Sequence, residues 1–278
     1  MINTISNKVF RNANEAYEYL HDRILQDGVD FADTKALFNV GFYITDSQDN
    51  KIINKERNWK EEYALAEWQW YLSGDNNINK LGDIYGKIPE IWKRMADEIG
   101  RVNSNYGWQW TRNNQIDYVI KLLADNKDTR QAAISIYDCK EYRSYSKDTP
   151  CTYAIQFTIV HNRLDMCVTM RSNDLWYGFC NDQYCFSNLQ KMISDELNIE
   201  PGVYYLYHIP GEKIGVTTNI KDRVERQQGC YPHEYEIIMS TEDIDLISKK
   251  EIALQKAYGY KVDDRLYKQL KHNKMKIN

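Results

Sequence analysis

The sequence has few of the residues that interrupt or cross-link a chain. Its 278 residues include only 5 prolines and 13 glycines, so long stretches can form regular secondary structure. The six cysteines stand singly, without a Cys-x-x-Cys pair, and we therefore predict neither a zinc site nor a disulfide framework. No apolar run of about eighteen residues occurs, and no basic stretch leads into an apolar segment at the amino terminus. From these absences we expect a protein that is neither exported nor anchored and that works in a reducing cytoplasm.

The composition is that of a globular protein with a sizeable core. Hydrophobic residues make up 42% of the chain and charged residues 27%. The formal net charge of -4 gives no broad signal of nucleic-acid binding. Periodicity predicts an amphipathic helix over residues 13–25 and a strand over residues 38–45. Helices that alternate with strands in this way predict an α+β fold.

One cysteine stands in a setting that suits a nucleophile. After Cys151 the chain alternates as a strand over residues 153–159, turns, and returns as a second strand over residues 164–170. This hairpin predicts that Cys151 and Arg171 lie at the same end of a sheet, where a guanidinium lowers the pKa of the thiol and grips an anion. Ser172 adds a hydroxyl to this cluster. The pattern indicates covalent chemistry on a phosphorylated small molecule, and an ordinary buried cysteine is the alternative.

Several blocks of the sequence together resemble one enzyme family. In chain order the blocks are Glu67–Gly74, Asn103–Gly107, Asp128–Gln131, Pro150–Cys151 and Met170–Asp174. Over about residues 35–200 the chain resembles the thymidylate synthases and their relatives, the pyrimidine nucleotide hydroxymethylases of phages. The resemblance implies a mixed sheet with packed helices, a homodimer with shared active sites, and 5,10-methylenetetrahydrofolate as the co-substrate.

The resemblance also implies a role for each reactive position. Cys151 matches the nucleophile that adds to C6 of the pyrimidine, which makes C5 able to attack a one-carbon donor. Glu67 matches a carboxylate that moves protons through ordered water, although a single glutamate is more often a solvated helix residue. Arg171 and Ser172 match ligands of the substrate phosphate.

Further matched positions concern the partner subunit and the folate. Arg130 matches an arginine that reaches the partner's phosphate, whereas Gln131 stands where the family usually has a second arginine, which would weaken phosphate binding. Asp174 matches a residue that contacts the pterin ring. Tyr106 and Trp70 fall where aromatic residues line the cleft, and core packing accounts for both of them equally well.

One position indicates the substrate base. Asp182 is the eighth residue after Asp174, where thymidylate synthases have the asparagine that pairs with O4 and N3 of uracil. A carboxyl group suits the amino group at position 4 of cytosine instead. We therefore predict a dCMP hydroxymethylase, in which water captures the exocyclic methylene to give 5-hydroxymethyl-dCMP and tetrahydrofolate. Methylation of dUMP is the alternative, with Asn181 reading uracil and Asp182 capping a helix that begins there.

The family pattern stops near residue 201. The His-x-Tyr segment that binds the sugar hydroxyl and the tail that closes over the folate cannot be found, so we expect a C-terminally truncated synthase-like domain over residues 1–200. Residues 201–278 resemble the GIY-YIG nuclease fold, a small α/β domain. The matching positions are Gly202-Val203-Tyr204 for the first motif, Lys213-Ile214-Gly215 for the second, Arg223 for the catalytic arginine and Glu251 for the metal-binding glutamate.

Two departures weaken the nuclease interpretation. Lys213 replaces a tyrosine, and the interval between the two motifs is short, so a small appendage without chemistry is the alternative. The last fourteen residues nevertheless hold five bases and no acids, which suits contact with DNA. The chain is thus predicted to be a one-carbon transferase with a C-terminal passenger, or else a synthase remnant fused to a DNA-binding or nicking module. Retention of the reactive residues favours the transferase.

Overall fold

Helices and short strands alternate through the described part of the chain, which in this computed structural model comprises residues 5–145, 147–160, 162–201, 204–218, 220–241, 243–263, 265–267 and 269. The helices are α1 (Ala13–Asp27), α2 (Glu61–Leu72), α3 (Ile78–Tyr85), α4 (Glu90–Met95), α5 (Tyr106–Thr111), α6 (Gln115–Asp125), α7 (Cys180–Glu196) and α8 (Ile244–Ala257). The strands are β1 (Lys8–Phe10), β2 (Val29–Phe31), β3 (Thr34–Ala36), β4 (Phe42–Ile44), β5 (Ala133–Ser135), β6 (Thr152–Val160), β7 (Arg163–Met170), β8 (Glu200–Pro201), β9 (Tyr204–Ile209), β10 (Lys213–Thr217) and β11 (Glu236–Thr241).

A four-stranded sheet in the order β5-β6-β7-β8 supports the candidate site. Strands β5, β6 and β7 are antiparallel, and β8 adds to β7 in parallel. The predicted hairpin is confirmed, because β6 pairs with β7 from Thr152 opposite Met170 to Val160 opposite Arg163. Side chains of alternating strand positions, among them Ile155 and Phe157, face the main core.

The main core lies between that sheet and the helices α2, α5, α6 and α7. Helix α7 contributes a buried stripe, and α2 contributes buried aromatic rings. Helices α2 and α5 approach so closely that a Cβ atom at Gly107 would lie 1.9 Å from the carbonyl oxygen of Tyr71. Only glycine permits this approach, which brings Tyr106 on α5 beside α2.

A second, three-stranded antiparallel sheet is built from residues after 203. Its order is β10-β9-β11, so β9 is the central strand and all six of its residues are buried. Tyr204 and Leu206 pack on the face covered by α8, whereas Tyr205 and Tyr207 pack with Val224 on the opposite face. Both of these clusters consist of residues after 203.

Most of the predicted helices and strands agree with the structure, although their boundaries differ in a few places. Helix α1 begins at the predicted residue because the Asn12 side chain accepts a hydrogen bond from the backbone of Glu15. The strand predicted over 38–45 is shorter and covers only β4, paired in parallel with β1. The last predicted helix, 242–258, is α8, which Asp243 caps and Gly259, at φ 72°, ends. Within the described ranges, no helix is long and apolar enough to cross a membrane.

Candidate active site

The β6–β7 hairpin brings Cys151 and Arg171 together, as the alternation predicts. The backbone N–H of Arg171 donates to the carbonyl oxygen of Cys151 at 2.9 Å. The hydroxyl of Tyr106 accepts hydrogen bonds from the N–H groups of Cys151, at 3.2 Å, and Thr152, at 3.1 Å. A buried tyrosine therefore fixes the backbone of the half-buried cysteine.

The electrostatics of the thiol differ from the prediction. Burial raises the pKa of Cys151 above its ordinary value, and the nearby Arg171 guanidinium lowers it. The carboxyl groups of Asp182 and Asp148 raise the pKa further. The guanidinium lowers the pKa as expected, but burial outweighs it and the net pKa is raised.

The loop that precedes Cys151 is tied to the helical side of the site. Asp148 is buried, and its carboxyl accepts hydrogen bonds from the backbone N–H of Ser104, at 2.6 Å, and from the Ser104 hydroxyl. The Asn103 amide donates to the Asp148 carbonyl at 2.8 Å. These bonds position the segment from residue 147 to Cys151 against the loop before α5.

The side chain of Arg171 lies along the same loop. Its guanidinium donates to the carbonyls of Thr149, at 2.9 Å, and Pro150, at 3.2 Å, and to the hydroxyl of Tyr137, at 3.0 Å. Arg171 and Ser172 are exposed at the end of β7, where an anion can reach them. An arginine held in this way presents its remaining N–H groups to solvent.

Glu67 is buried on α2, so the alternative of a solvated helix residue is wrong. Its side chain is 4% exposed, and Oε1 accepts a hydrogen bond from the Tyr71 hydroxyl at 3.0 Å. No donor meets hydrogen-bond geometry at Oε2 among the described residues, although the nearby Tyr63 hydroxyl interacts with the carboxyl group and lowers its pKa. Burial raises the pKa of Glu67 to about 7, which suits a group that exchanges protons near neutral pH. An unpaired buried oxygen is also what an ordered water or substrate would satisfy.

Asp182 lies in the first turn of α7, and the surrounding residues exclude the capping alternative. The helical segment begins earlier, with a π-helical turn over Leu175–Phe179, and Asp174 caps it by accepting from the N–H of Tyr177 at 2.6 Å. The side chain of Asn181 is occupied elsewhere, because it accepts from the indole N–H of Trp59 at 2.9 Å.

The charge of Asp182 is coupled to the other reactive groups. Burial and repulsion from Glu67 raise its pKa well above the ordinary value, and an interaction with Asn173 opposes that rise. Asp182 in turn raises the pKa of Cys151. A Cβ atom at Gly178 would lie 2.5 Å from Asn173 Oδ1 and 3.5 Å from Asp182 Oδ2, so glycine leaves room for this contact.

The other sequence-predicted residues lie in three different settings. Asp174 is exposed at the edge of the site, apart from its capping bond. Arg130 is exposed on the loop before β5 and forms no hydrogen bond or ion pair within the described ranges. Trp70 is fully buried and donates to the Asn77 carbonyl at 3.1 Å, so core packing is the account that fits it.

The residues singled out in the C-terminal region do not converge. Gly202 and Val203 of the first motif lie outside the described residues. Tyr204 and Glu251 are buried on the side of α8, where the Val216 N–H donates to the Glu251 carboxyl and burial raises its pKa to about 7. Arg223 is exposed on a helical turn whose Val224 packs on the other face of the sheet. In the described ranges, no three His, Cys, Asp or Glu side chains are grouped to hold a metal ion.

Sequence reasoning missed Tyr137 and Asp148. Asp148 is three residues before Cys151, and a carboxyl group so close to a candidate nucleophile is a signal that the local sequence provides. Tyr137 offers no such signal, because it acts through a contact that only the folded sheet creates. Asn173 belongs to the polar block after β7, but its interaction with Asp182 was not predicted.

Comparisons with known proteins show the family to which this fold belongs. The thymidylate synthase family model matches residues 15–270, so the chain belongs to the thymidylate synthase family. The match extends beyond residue 200, where the sequence motifs end. The solved structure of thermostable thymidylate synthase A from Bacillus subtilis has the same fold, with a TM-score of 0.54 and 21% identity over 69% of this chain and 76% of that one.

Curated relatives fall into two groups. The deoxycytidylate 5-hydroxymethyltransferase of Enterobacteria phage T4 is 37% identical over 145 residues, which is 49% of this chain and 57% of that protein. The thymidylate synthase of Bacillus subtilis subsp. natto is 27% identical over 192 residues, 64% of this chain and 65% of that protein. The chain thus spans less than two thirds of the length of either relative.

Proposed function

We propose that this chain is a folate-dependent transferase that acts at C5 of a pyrimidine nucleotide, with dCMP as its substrate and 5-hydroxymethyl-dCMP as its product. The observation that carries the proposal is the position of Asp182, whose carboxyl interacts electrostatically with both Glu67 and Cys151. In this proposal the group that pairs with the base, the proton carrier and the nucleophile share one site. The similarity to the phage deoxycytidylate 5-hydroxymethyltransferase supports the same substrate.

The residues divide the chemistry between them. The Cys151 thiolate adds to C6, which leaves C5 with the electron density to form a bond to a one-carbon donor. The co-substrate, 5,10-methylenetetrahydrofolate, supplies that carbon. Glu67 takes up and returns protons through water at its unpaired Oε2, for which its pKa of about 7 is suited. Loss of the C5 proton then expels tetrahydrofolate and leaves an exocyclic methylene. Water adds to that methylene, and elimination of Cys151 restores the ring.

Asp182 fits cytosine through two hydrogen bonds. Its raised pKa favours a protonated carboxyl, whose O–H donates to N3 while the other oxygen accepts from the 4-amino group. In uracil the donor and acceptor at these two positions are exchanged, so a protonated carboxyl pairs with uracil only when its proton lies on the other oxygen, and an ionised carboxylate has no donor for O4. Methylation of dUMP, the activity named for the Bacillus relative, remains the alternative function.

The remaining exposed residues complete the substrate sites in this proposal. Arg171 and Ser172 bind the nucleotide phosphate, and Asp174 contacts the pterin ring at the edge of the cleft. Arg130, which has no partner within the described ranges, reaches the phosphate bound by a second subunit, so the active form is a homodimer. We propose a reducing cytoplasm as the location, because it suits a thiolate nucleophile.

The test is release of tritium from C5-labelled dCMP and dUMP, with methylenetetrahydrofolate and a Cys151→Ala control. We expect release from dCMP and formation of 5-hydroxymethyl-dCMP, with none above background in the control. Release from dUMP alone would make the protein a thymidylate or hydroxymethyluridylate enzyme. Release from neither nucleotide would reject the transferase function for this chain alone.

We propose a second role for residues 201–278, as a separate domain that resembles the GIY-YIG fold and contacts DNA. The segment of the second motif lies on β10, which pairs with β9, and β9 begins at the tyrosine of the first motif. Glu251 lies on the helix that packs against the same sheet. The burial of Tyr204 and Glu251 favours binding over cleavage, and the basic carboxyl terminus supplies the charge.

Duplex DNA tests this second role. We expect binding that weakens steeply with salt, and no nicking of plasmid DNA with Mg²⁺. Nicking that is lost in Glu251→Gln would instead establish an active nuclease. Absence of binding at low salt would leave residues 201–278 as a structural appendage.

A further inference from the structure

The hydroxyl of Tyr137 joins two parts of the candidate site that are distant in sequence. It donates to the carbonyl oxygen of Pro150 at 2.7 Å and accepts from Nε of Arg171 at 3.0 Å. A tyrosine hydroxyl has one proton and two lone pairs, so it makes both bonds without conflict. The hydroxyl thus connects the residue before Cys151 to the residue after β7.

The bonds of Arg171 leave a defined set of donors for a ligand. Its Nε–H is shared between Tyr137 and Pro150, and one Nη2–H goes to the Thr149 carbonyl. A guanidinium has five N–H groups in one plane, so three remain, and the first two contacts fix the orientation of that plane. Without Tyr137 the Nε–H would retain only the longer bond to Pro150, at 3.2 Å.

The ring of Tyr137 is itself held in place. Tyr137 follows β5, where the N–H of Ile136 donates to the carbonyl of Tyr153 at 2.9 Å. Its ring stacks on that of Tyr142, with centroids 4.9 Å apart and planes inclined by 19°. Because this stacking limits rotation of the ring, the hydroxyl offers Arg171 an acceptor in a fixed position.

We propose that Tyr137 is a positioning residue, whose hydroxyl holds the Arg171 guanidinium on the carbonyls before Cys151 and so prepares anion binding and the nucleophile together. This inference rests on the proposed function only in that Cys151 is the nucleophile and Arg171 the phosphate ligand. Tyr137 does not touch the substrate. It acts through Arg171, whose charge lowers the pKa of the thiol.

The experiment compares Tyr137→Phe with Tyr142→Phe in the full chain. Both changes remove one hydroxyl and keep the stacked rings, but the Tyr142 hydroxyl makes no hydrogen bond within the described residues. The rate of Cys151 alkylation by iodoacetamide is followed against pH, with Cys151 resolved by mass spectrometry. Protection of Cys151 by inorganic phosphate gives the affinity of the anion site, and nucleotide turnover is measured separately.

In Tyr137→Phe we expect the alkylation midpoint to move to higher pH, because a less constrained Arg171 stabilises the thiolate less. Phosphate affinity should fall about five- to tenfold, the effect of one ordinary hydrogen bond, because the charge of Arg171 itself remains. Tyr142→Phe should match the wild type. In an Arg171→Ala background, Tyr137→Phe should have no further effect, which a general loss of structure would not reproduce.

Three results would overturn the inference. These are a Tyr137→Phe profile equal to that of wild type, an equal loss in Tyr142→Phe, and no protection of wild-type Cys151 by phosphate. The alkylation assay needs neither folate nor turnover, so it separates this inference from the proposed function. If no nucleotide is turned over and Tyr137→Phe still weakens phosphate protection, the function fails and the positioning role stands.

Discussion

Among the described residues, one buried helical glutamate lies in the first region, before residue 201, and one in the second region, after it, and the two differ in their surroundings. Glu67 on α2 and Glu251 on α8 are both 4% exposed, and burial raises the pKa of each to about 7. Glu67 keeps one oxygen unpaired and is coupled to Asp182, which in turn is coupled to Cys151.

Glu251 has a different environment. It accepts from the Val216 backbone, and the neighbouring Gln255 and Asp263 are hydrogen-bonded to each other, at 2.8 and 3.0 Å. A buried carboxyl with a raised pKa is therefore not by itself a sign of chemistry. A functional site is indicated where a carboxyl oxygen without a hydrogen-bond partner lies among several reactive groups, as it does at Glu67.

The largest difference between the two glutamates is expected in their effect on the catalytic rate. Glu67→Gln should lower kcat by about 10²- to 10⁴-fold, because an amide cannot exchange protons. The matched change Glu251→Gln should leave turnover within about twofold, since that residue lies in the second sheet's own core. Steady-state rates with the preferred nucleotide measure both. Equal losses in the two variants would mean that the regions function as one unit.

Both glutamates should make stability fall as the pH rises. For each, the folded pKa of about 7 lies above the ordinary 4.5, so the stabilising contribution is complete below about pH 4.5 and is lost as the pH rises through 7. The loss is about 3 kcal/mol at most per residue, from a shift of roughly 2.5 units.

Urea unfolding at pH 5 and pH 8 tests this pH dependence. Glu67→Gln and Glu251→Gln should each reduce the difference between the unfolding free energies at the two pH values. A wild-type protein equally stable at both pH values would show that neither carboxyl changes its charge on unfolding.

The preference for cytosine over uracil should depend on the carboxyl group of Asp182. Asp182→Asn replaces a carboxyl by an amide that can pair with O4 and N3 of uracil, so the ratio of kcat/KM for dCMP and dUMP should move toward dUMP by about 10- to 100-fold. Asn181→Asp is the neighbouring control, because its side chain binds Trp59. An unchanged ratio in Asp182→Asn would exclude Asp182 as the base reader.

The smallest effect is expected in a polar network of the second region. His208 is buried between Glu236, at 2.7 Å, and the Tyr260 hydroxyl, at 2.9 Å, and the same hydroxyl accepts from the Gly211 N–H at 2.8 Å. Tyr260→Phe should cost about 1–2 kcal/mol of unfolding free energy, because His208 and Gly211 lose a partner. Transferase activity should not change. A loss of turnover would show that this network reaches the candidate active site.

Much of the candidate site was predictable because its parts are local. The alternation around Cys151 predicted the hairpin, and the hairpin placed Arg171 beside the cysteine. The direction of the thiol pKa was not predictable, because it depends on how much of the side chain is buried. Trp70 illustrates the same limit, since helical spacing gave no means of distinguishing a cleft-lining ring from a core ring.

The sequence by itself determined the reactive residue types, their spacing and the hairpin, since these follow from short-range periodicity and turn chemistry. The sequence blocks from Glu67 to Asp174 were also sufficient to identify the family. Only the tertiary structure decided that Asp182, Glu67 and Cys151 interact, that Tyr137 reaches Arg171, and that Tyr204 and Arg223 lie on opposite faces of a sheet. Burial and hydrogen bonding between distant segments are properties of the packed chain, because each is created by neighbours that the local sequence does not contain.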